Sequence, residues 1–320
     1  MELDEIYEPV REDLLRVEDK LKSVSEVEFA HLSELLGYIL TGGKEIRPAL
    51  TLLCGKFYDY NLDLLLPMAA AVQILHIATL VHDDAIDNSM VRRGRPTINS
   101  LWGQERAVLL GDYLFAKSGE FSTTTQNLRV VMLSSQTIET ISSGELNQAL
   151  NAFNLEQTRQ DYLERISSKT ASLFCLATES GAILSQAPEK SVKILREYGY
   201  NLGIAFQIVD DILDFIGTEE ELGKPIGSDL AHGTLTLPAM LLLERYPEDN
   251  PVKRLFQNED REKNIKSAIE LVRNSPIVEQ CYDVASSYCS EACRNLNQLP
   301  DNASRRALVE LAEYIITRRR

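Results

Sequence analysis

Several things are scarce in this sequence, and each scarcity narrows what the chain can be. Alternating apolar-polar runs are nearly absent, and there is no Asn-Gly hairpin turn, which argues against a β-sheet protein. No low-complexity linker interrupts the 320 residues, so they read as one all-helical domain spanning 1–320. Positive charge is short: 33 Lys and Arg face 48 Asp and Glu, for a formal charge of -15. A general nucleic-acid binder needs a basic face, so no nucleic-acid partner is expected, although a local anion pocket remains open. The five cysteines are scattered without a CxxC pair, which points to a reducing, cytoplasmic setting. Cys289 and Cys293 lie one helical turn apart, but only Cys281 is upstream and no histidine is near, so they read as buried thiols. The opening MELDEIYEPVREDLL is acidic and amphipathic, unlike a signal or transit peptide. The uncharged run from Leu64 to Val81 approaches membrane-spanning length. Pro67, Gln73, His76 and Thr79 interrupt it, so a buried core helix is expected and no transmembrane segment.

What the sequence has in quantity is helical periodicity. Stretches such as ERAVLLGDYLFAKSGEF and VKILREYGYNLGIAFQIVDDILDFI carry apolar residues at three- and four-residue spacing. Breaks fall at TGGKEIRP, RRGRPT, QAPEKS, GTEEELGKPIGSD, YPEDNP, NSPIVE and LPDNAS, each holding Gly, Pro, Asn or Ser. In NSPIVE, Ser275 is expected to cap a helix whose first residue is Pro276. The fold class is all-α.

Two acidic clusters stand directly after apolar runs: Asp83, Asp84 and Asp87 in HDDAID, and Asp210, Asp211 and Asp214 in VDDILD. On a helix the first and last aspartate of each set share a face, and the middle one flanks it. Like charges beside apolar surface are costly unless something offsets them. An all-oxygen donor set suits a hard divalent ion, above all magnesium, which accepts a few carboxylates and completes its shell with water and phosphate oxygens. One such cluster could equally be a solvated helix end; two with identical spacing make that reading much weaker. Calcium loops fit poorly, because the required Gly and late Glu are missing. Basic residues sit near Gly and Pro turns close to the clusters: Lys44 and Arg47, then Arg92, Arg93 and Arg95, then Lys169 and Lys224. Each alone is a common surface charge, but together they describe two anion sites.

The run of motifs resembles the trans-isoprenyl diphosphate synthases of the polyprenyl synthetase family. GGKEIRP is similar to the family's GGKRxRP, and LVHDDAIDNSMVRRGRPT to its first aspartate-rich motif. GDYLFAKS, KTASLF, FQIVDDILD and GKPIGSDL follow in the family order, so the match covers roughly Leu36 to Met240. The resemblance implies a helical bundle of the isoprenoid synthase type around a central hydrophobic cavity. It implies a prenyltransferase that condenses isopentenyl diphosphate with an allylic diphosphate through ionisation, condensation and elimination. Three magnesium ions per site would be held by Asp83, Asp84, Asp87 and Asp210, with Asp211 and Asp214 in support. Asp83, Asp84, Asp87, Asp210 and Lys169 would be the catalytic set. Arg92, Lys169, Thr170, Gln207 and Lys224 would bind the allylic diphosphate, and Lys44, Arg47, His76 and Arg93 the isopentenyl diphosphate. Thr170 and Gln207 would steady the allylic cation, and Glu145 and Gln148 would face the same cavity. Family members are commonly homodimers.

Two positions depart from the family pattern: Glu45 stands where Arg is usual, and Thr234 where DLAHGTLTLP would carry Lys. In relatives with short products, an aromatic residue one turn above the first cluster closes the product tunnel. Here Ala78 and Thr79 are small, and Leu75 and Val72 further up are not aromatic. A product longer than geranylgeranyl is therefore expected, and a long product would be membrane-seeking. A geranylgeranyl or farnesyl diphosphate synthase is the alternative if a facing helix closes the tunnel. A terpene cyclase or head-to-head synthase would keep less of the isopentenyl diphosphate site. A non-catalytic regulatory subunit would usually have lost aspartates. A phosphohydrolase built on His31, His82 and Asp83 would leave the second cluster without a use. The closing TRRR could fold over the site near a phosphate, although a solvated tail balancing a helix C-terminus is the simpler reading, and His232 reads as a surface histidine.

Overall fold

The uncharged Leu64–Val81 run lies inside a 25-residue helix, Leu62–Ile86, that forms the middle of a helical bundle. The computed structural model describes residues 2–40, 45–92, 94–218 and 225–318. Its longer helices are α1 (Arg11–Ser23), α2 (Ala30–Ile39), α3 (Ile46–Gly55), α4 (Leu62–Ile86), α5 (Gln104–Thr124), α6 (Leu128–Leu150) and α7 (Arg159–Ile166). They continue as α8 (Ser172–Leu184), α9 (Glu189–Ile216), α10 (Leu237–Arg245), α11 (Arg261–Arg273), α12 (Ile277–Cys293) and α13 (Ala303–Thr317). The only strands among the described residues are β1 (Val91–Arg92) and β2 (Arg95–Pro96), paired antiparallel just beyond the first aspartate cluster.

Side-chain caps start several helices. Asn61 accepts from Asp63 at the head of α4, Asn127 from Val130 at α6, and Thr158 from Asp161 at α7. At α12 the cap differs from expectation by one residue. Pro276 is itself the cap and the helix begins at Ile277, with the Ser275 hydroxyl 3.4 Å from the Ile277 N–H.

Among the described residues α4 is the one helix long and apolar enough to cross a membrane. It packs against α1, α3, α5 and α8 and is a core helix, as its interruptions indicated. α9 lies against α8 and α12, and the buried residues form one cluster running from Ile6 to Ile315. Burial at about 25 cal/mol per Å² of apolar surface is what holds such helices together. Four cysteines are buried and Cys293 is partly so, and all five are free thiols.

Between α7 and α8 the chain forms a π-helical turn at Ser167–Ala171, wider than an α turn. Two glycines let neighbours close on it. A Cβ at Gly144 of α6 would come within 2.7 Å of Ser168, and one at Gly203 of α9 within 2.6 Å of the Ala171 Cα. The wide turn is thus gripped from both sides.

Candidate active site

The first cluster sits where α4 ends, with Asp87 as the cap residue beyond Ile86. Aspartates at a helix C-terminus face the negative end of the helix dipole, which adds to their mutual repulsion. From Pro67 to Ala85 every residue is buried except His76, Thr79, Leu80, His82 and Asp83. His76, Thr79, Leu80 and Asp83 fall within about 100° of arc, so they line one crevice running down α4 from the cluster. Val72 continues that row. His82 points elsewhere: its Nε2 lies 3.0 Å from the Val108 carbonyl oxygen and its ring packs edge-on against Phe115, both on α5. Ala78 and Leu75 share the His82 face. The four residues expected to set product length therefore divide, Thr79 and Val72 on the crevice row and Ala78 and Leu75 toward α5. None of the four is aromatic.

Cationic side chains meet the first cluster. The Arg92 Nε donates to both oxygens of buried Asp84, at 2.8 and 2.9 Å. Lys169 Nζ, on the π turn, lies 3.2 Å from Asp83 and 2.7 Å from Glu145 of α6. Burial pulls the Lys169 pKa down, but Asp83 and Glu145 outweigh it and hold it above the ordinary lysine value. Burial raises Asp84, and Asp83 and Asp87 add to the rise despite Arg92. Asp87, at the solvent-facing rim, is raised as well, by partial desolvation among its neighbours and against the pull of His232 and Lys169. His232 is exposed, as expected, yet close enough for its charge to be felt at Asp87.

The next residue on the π turn reaches the second cluster. The Thr170 hydroxyl donates to Gln207 Oε1 at 2.6 Å, and Gln207 Nε2 donates to Asp211 Oδ1 at 2.8 Å. Asp211 Oδ2 accepts from the Tyr162 hydroxyl at 2.8 Å. Burial and Asp229 push the Asp211 carboxyl up to about 7, while the bonds from Gln207 and Tyr162 favour its ionised form. Asp214 is also buried, and its Oδ2 accepts from the Asp229 N–H at 3.2 Å.

Asp210, the partly exposed member, pairs with a residue the sequence had left in solvent. Arg318 donates to Asp210 Oδ1 at 2.5 Å and to the Phe206 carbonyl oxygen at 2.8 Å. Its guanidinium also stacks on the Phe206 ring, 3.9 Å from the centroid. Arg318 is buried, so the reading of a solvated tail does not hold for this residue. The TRRR sequence leaves both readings open, and its three arginines do not by themselves name a partner 108 residues away. Arg47 approaches the same ring, 5.8 Å from its centroid, and lies 4.8 Å from that of Phe174. Two guanidinium groups therefore gather at Phe206. Lys44, Arg93 and Lys224 lie outside the described residues.

Among the described residues no three His, Cys, Asp or Glu side chains converge closely enough to form a ready-made ion site. The donors are nonetheless all carboxylate oxygens, and partial withdrawal from water is the main reason that Asp84 and Asp87 are raised. That chemistry fits a hard divalent ion that takes few protein ligands and fills its shell with other oxygens. Glu45, the first departure, caps α3 with a left-handed φ of 49°. Burial and Glu18 raise its carboxyl to about 7, against Lys22. At Thr234, the second, the backbone N–H donates to the Asp229 carbonyl oxygen at 2.9 Å, so the turn is held without a lysine.

Residues 29–272 match the polyprenyl synthetase family. The chain belongs to that family. As a polyprenyl synthetase it is a trans-prenyltransferase with the isoprenoid synthase helical fold. It is 38% identical over 310 residues to component 2 of the heptaprenyl diphosphate synthase of Bacillus subtilis, covering 97% of this chain and 89% of that one. The polyprenyl synthase of Caulobacter crescentus, solved with calcium and isoprenyl diphosphate, superposes with a TM-score of 0.94 at 33% identity, over 100% of this chain and 98% of that one. The heptaprenyl diphosphate synthase of Staphylococcus aureus gives 0.93 at 36% identity, over 97% and 99%. Family membership sets aside the phosphohydrolase reading. His31 packs edge-on against Phe29, and His82 is engaged by α5.

The structure brings Asp83, Glu145 and Lys169 together, and likewise Thr170, Gln207 and Asp211, but sequence reasoning singled out neither Tyr162 nor the contact of Arg318 with Asp210. A tyrosine seven residues before Lys169, on the same helical face, was the available signal for the first.

Proposed function

We propose that this prenyltransferase extends an allylic diphosphate with isopentenyl diphosphate, in a magnesium-dependent reaction, to trans-polyprenyl diphosphates longer than geranylgeranyl. One observation carries the site assignment: the consecutive residues Lys169 and Thr170 reach one aspartate cluster each, the second through Gln207. Asp83, Asp84, Asp87 and Asp210 would hold magnesium, with Asp211 and Asp214 behind them. Bound magnesium would neutralise the departing pyrophosphate and so favour ionisation of the allylic C–O bond. Lys169 and Arg92 add fixed positive charge at the same place. The Thr170 and Gln207 oxygens offer dipoles to the allylic cation. Arg47 and His76, with Lys44 and Arg93, would orient isopentenyl diphosphate for attack. The apolar walls of α4 and α9 exclude the water that would quench the cation.

The long product is supported by the B. subtilis and S. aureus relatives, both heptaprenyl diphosphate synthases, and by the four non-aromatic positions on α4. Self-association is supported by apolar side chains left exposed on two neighbouring helices: Val108 and Leu109 on α5, Leu128, Met132, Leu146 and Leu150 on α6. A partner subunit is the second reading, because the B. subtilis relative is one component of its synthase. A cytoplasmic location goes with the free thiols.

The test is to give the purified chain alone farnesyl diphosphate, isopentenyl diphosphate and magnesium, and to size the products by mass spectrometry. Products beyond geranylgeranyl are expected, and Ala78→Phe should shorten them. Dominant farnesyl or geranylgeranyl product would overturn the length. Turnover only after adding a second chain would favour the partner subunit. Products from the allylic diphosphate alone would mean a cyclase or head-to-head synthase.

A further inference from the structure

The hydrogen bonds around Asp211 all run toward it. Thr170 donates to the Gln207 oxygen, Gln207 donates to Asp211 Oδ1, and Tyr162 donates to Asp211 Oδ2. Asp211 is 2% exposed and Tyr162 1%, so solvent water cannot substitute for the phenol. Both ends of the chain of bonds start from one helical stretch, Tyr162 on α7 and Thr170 on the π turn that follows. They close a ring onto α9, which carries Gln207 and Asp211.

The ring fixes which way the Gln207 amide points. A flipped amide would set its oxygen against the Asp211 carboxylate, two acceptors in contact, and its NH2 against the Thr170 hydroxyl. The Thr170 hydroxyl could accept from that NH2, so the cost falls on the contact with Asp211, a buried carboxylate that would lose its amide donor. The amide is thus oriented by Asp211, and Asp211 is fixed in place by the one bond that comes from outside α9 and the π turn.

We propose that Tyr162 is a positioning residue for prenyl transfer: by anchoring Asp211 it holds the Gln207 carbonyl oxygen beside Thr170. The proposal rests on the reading of Gln207 and Thr170 given under the proposed function. It adds a residue that touches neither substrate nor metal, and it explains why a phenol is buried at a position where phenylalanine would fill the same space. Supports of this kind act by keeping the reacting groups in one geometry.

The experiment compares the unmodified chain with Tyr162→Phe, Asp211→Asn and the double variant, by steady-state kinetics and thermal melting. Tyr162→Phe is nearly isosteric, so the core stays filled. We expect it to lower kcat about tenfold, the scale of one hydrogen bond to a charged group. The KM for isopentenyl diphosphate should move less than about twofold, since that site lies apart. The double variant should be no slower than Asp211→Asn alone, because one residue acts through the other. Unchanged kcat in Tyr162→Phe, or effects that multiply in the double variant, would overturn the proposal while leaving the reaction assignment intact. No turnover by the unmodified chain on any allylic diphosphate, alone or with a second chain added, would overturn the reaction assignment and the proposal with it.

Discussion

Asp87 and Asp214 hold the same place in two copies of one five-residue pattern, yet Asp87 is exposed and Asp214 is 1% exposed. The first terminates α4 and meets solvent at the rim. The second lies inside α9, and the chain that returns after it folds over it. The Gly227 N–H donates to its carbonyl oxygen and the Asp229 N–H to its carboxylate. Arg273 then caps the end of α9 by donating to the carbonyl oxygens of Phe215 and Gly217. The leading aspartates are more alike: Asp83 and Asp210 are both partly exposed and both carry a cationic partner, Lys169 and Arg318. The middle ones are buried, Asp84 bonded to Arg92 and Asp211 to Tyr162 and Gln207. Identical spacing therefore sets which way each carboxylate points. What covers it decides whether it remains free for chemistry or becomes part of the framework.

Removing a leading aspartate should give the largest effect. Asp83→Asn or Asp210→Asn should each lower kcat by about a hundredfold or more, the scale of losing one preorganised electrostatic group. Each should also lower stability by about 1–2 kcal/mol, because Lys169 or the buried Arg318 loses a carboxylate partner. A near-normal kcat in either variant would break the parallel between the two clusters. The trailing aspartates should separate by stability instead. Asp214→Ala should cost about 1–2 kcal/mol in chemical denaturation, because it empties the space of a buried side chain and removes the acceptor of the partly buried Asp229 N–H. Asp87→Ala should cost nothing measurable, since it also relieves repulsion with Asp83. Equal losses would mean that burial does not distinguish them. The smallest effect concerns the counter-ions. Arg318→Gln should lower stability by about 1 kcal/mol through loss of the ring contact and ion pair. No change would show that the chain end does not help hold the second cluster.

The helices were legible because their apolar period is local. The Leu64–Val81 run was read as a core helix, and α4 is one. The lining of the site was legible in part, through residue types at fixed spacing: six aspartates, Lys169, Thr170 and Gln207. The π turn was not legible. Its wider hydrogen bonding leaves no mark in SSKTA, and it depends on glycines in two other helices, Gly144 and Gly203. The partners of Arg318 were not legible for a related reason, since Phe206 and Asp210 lie more than a hundred residues back in the chain and TRRR fits both a solvated and a folded-over tail.

By itself the sequence determined an all-helical chain, two carboxylate clusters each with a shared face, and an acidic balance that left only local anion pockets. Those follow from the 3.6-residue period and from charge, which neighbouring residues settle among themselves. Tertiary structure alone decided which aspartates are buried, which cation meets each cluster, and that Tyr162 contacts Asp211 and Arg318 contacts Asp210. Those depend on distances between helices far apart in the chain, and at a few ångströms such distances govern both hydrogen bonding and the local dielectric.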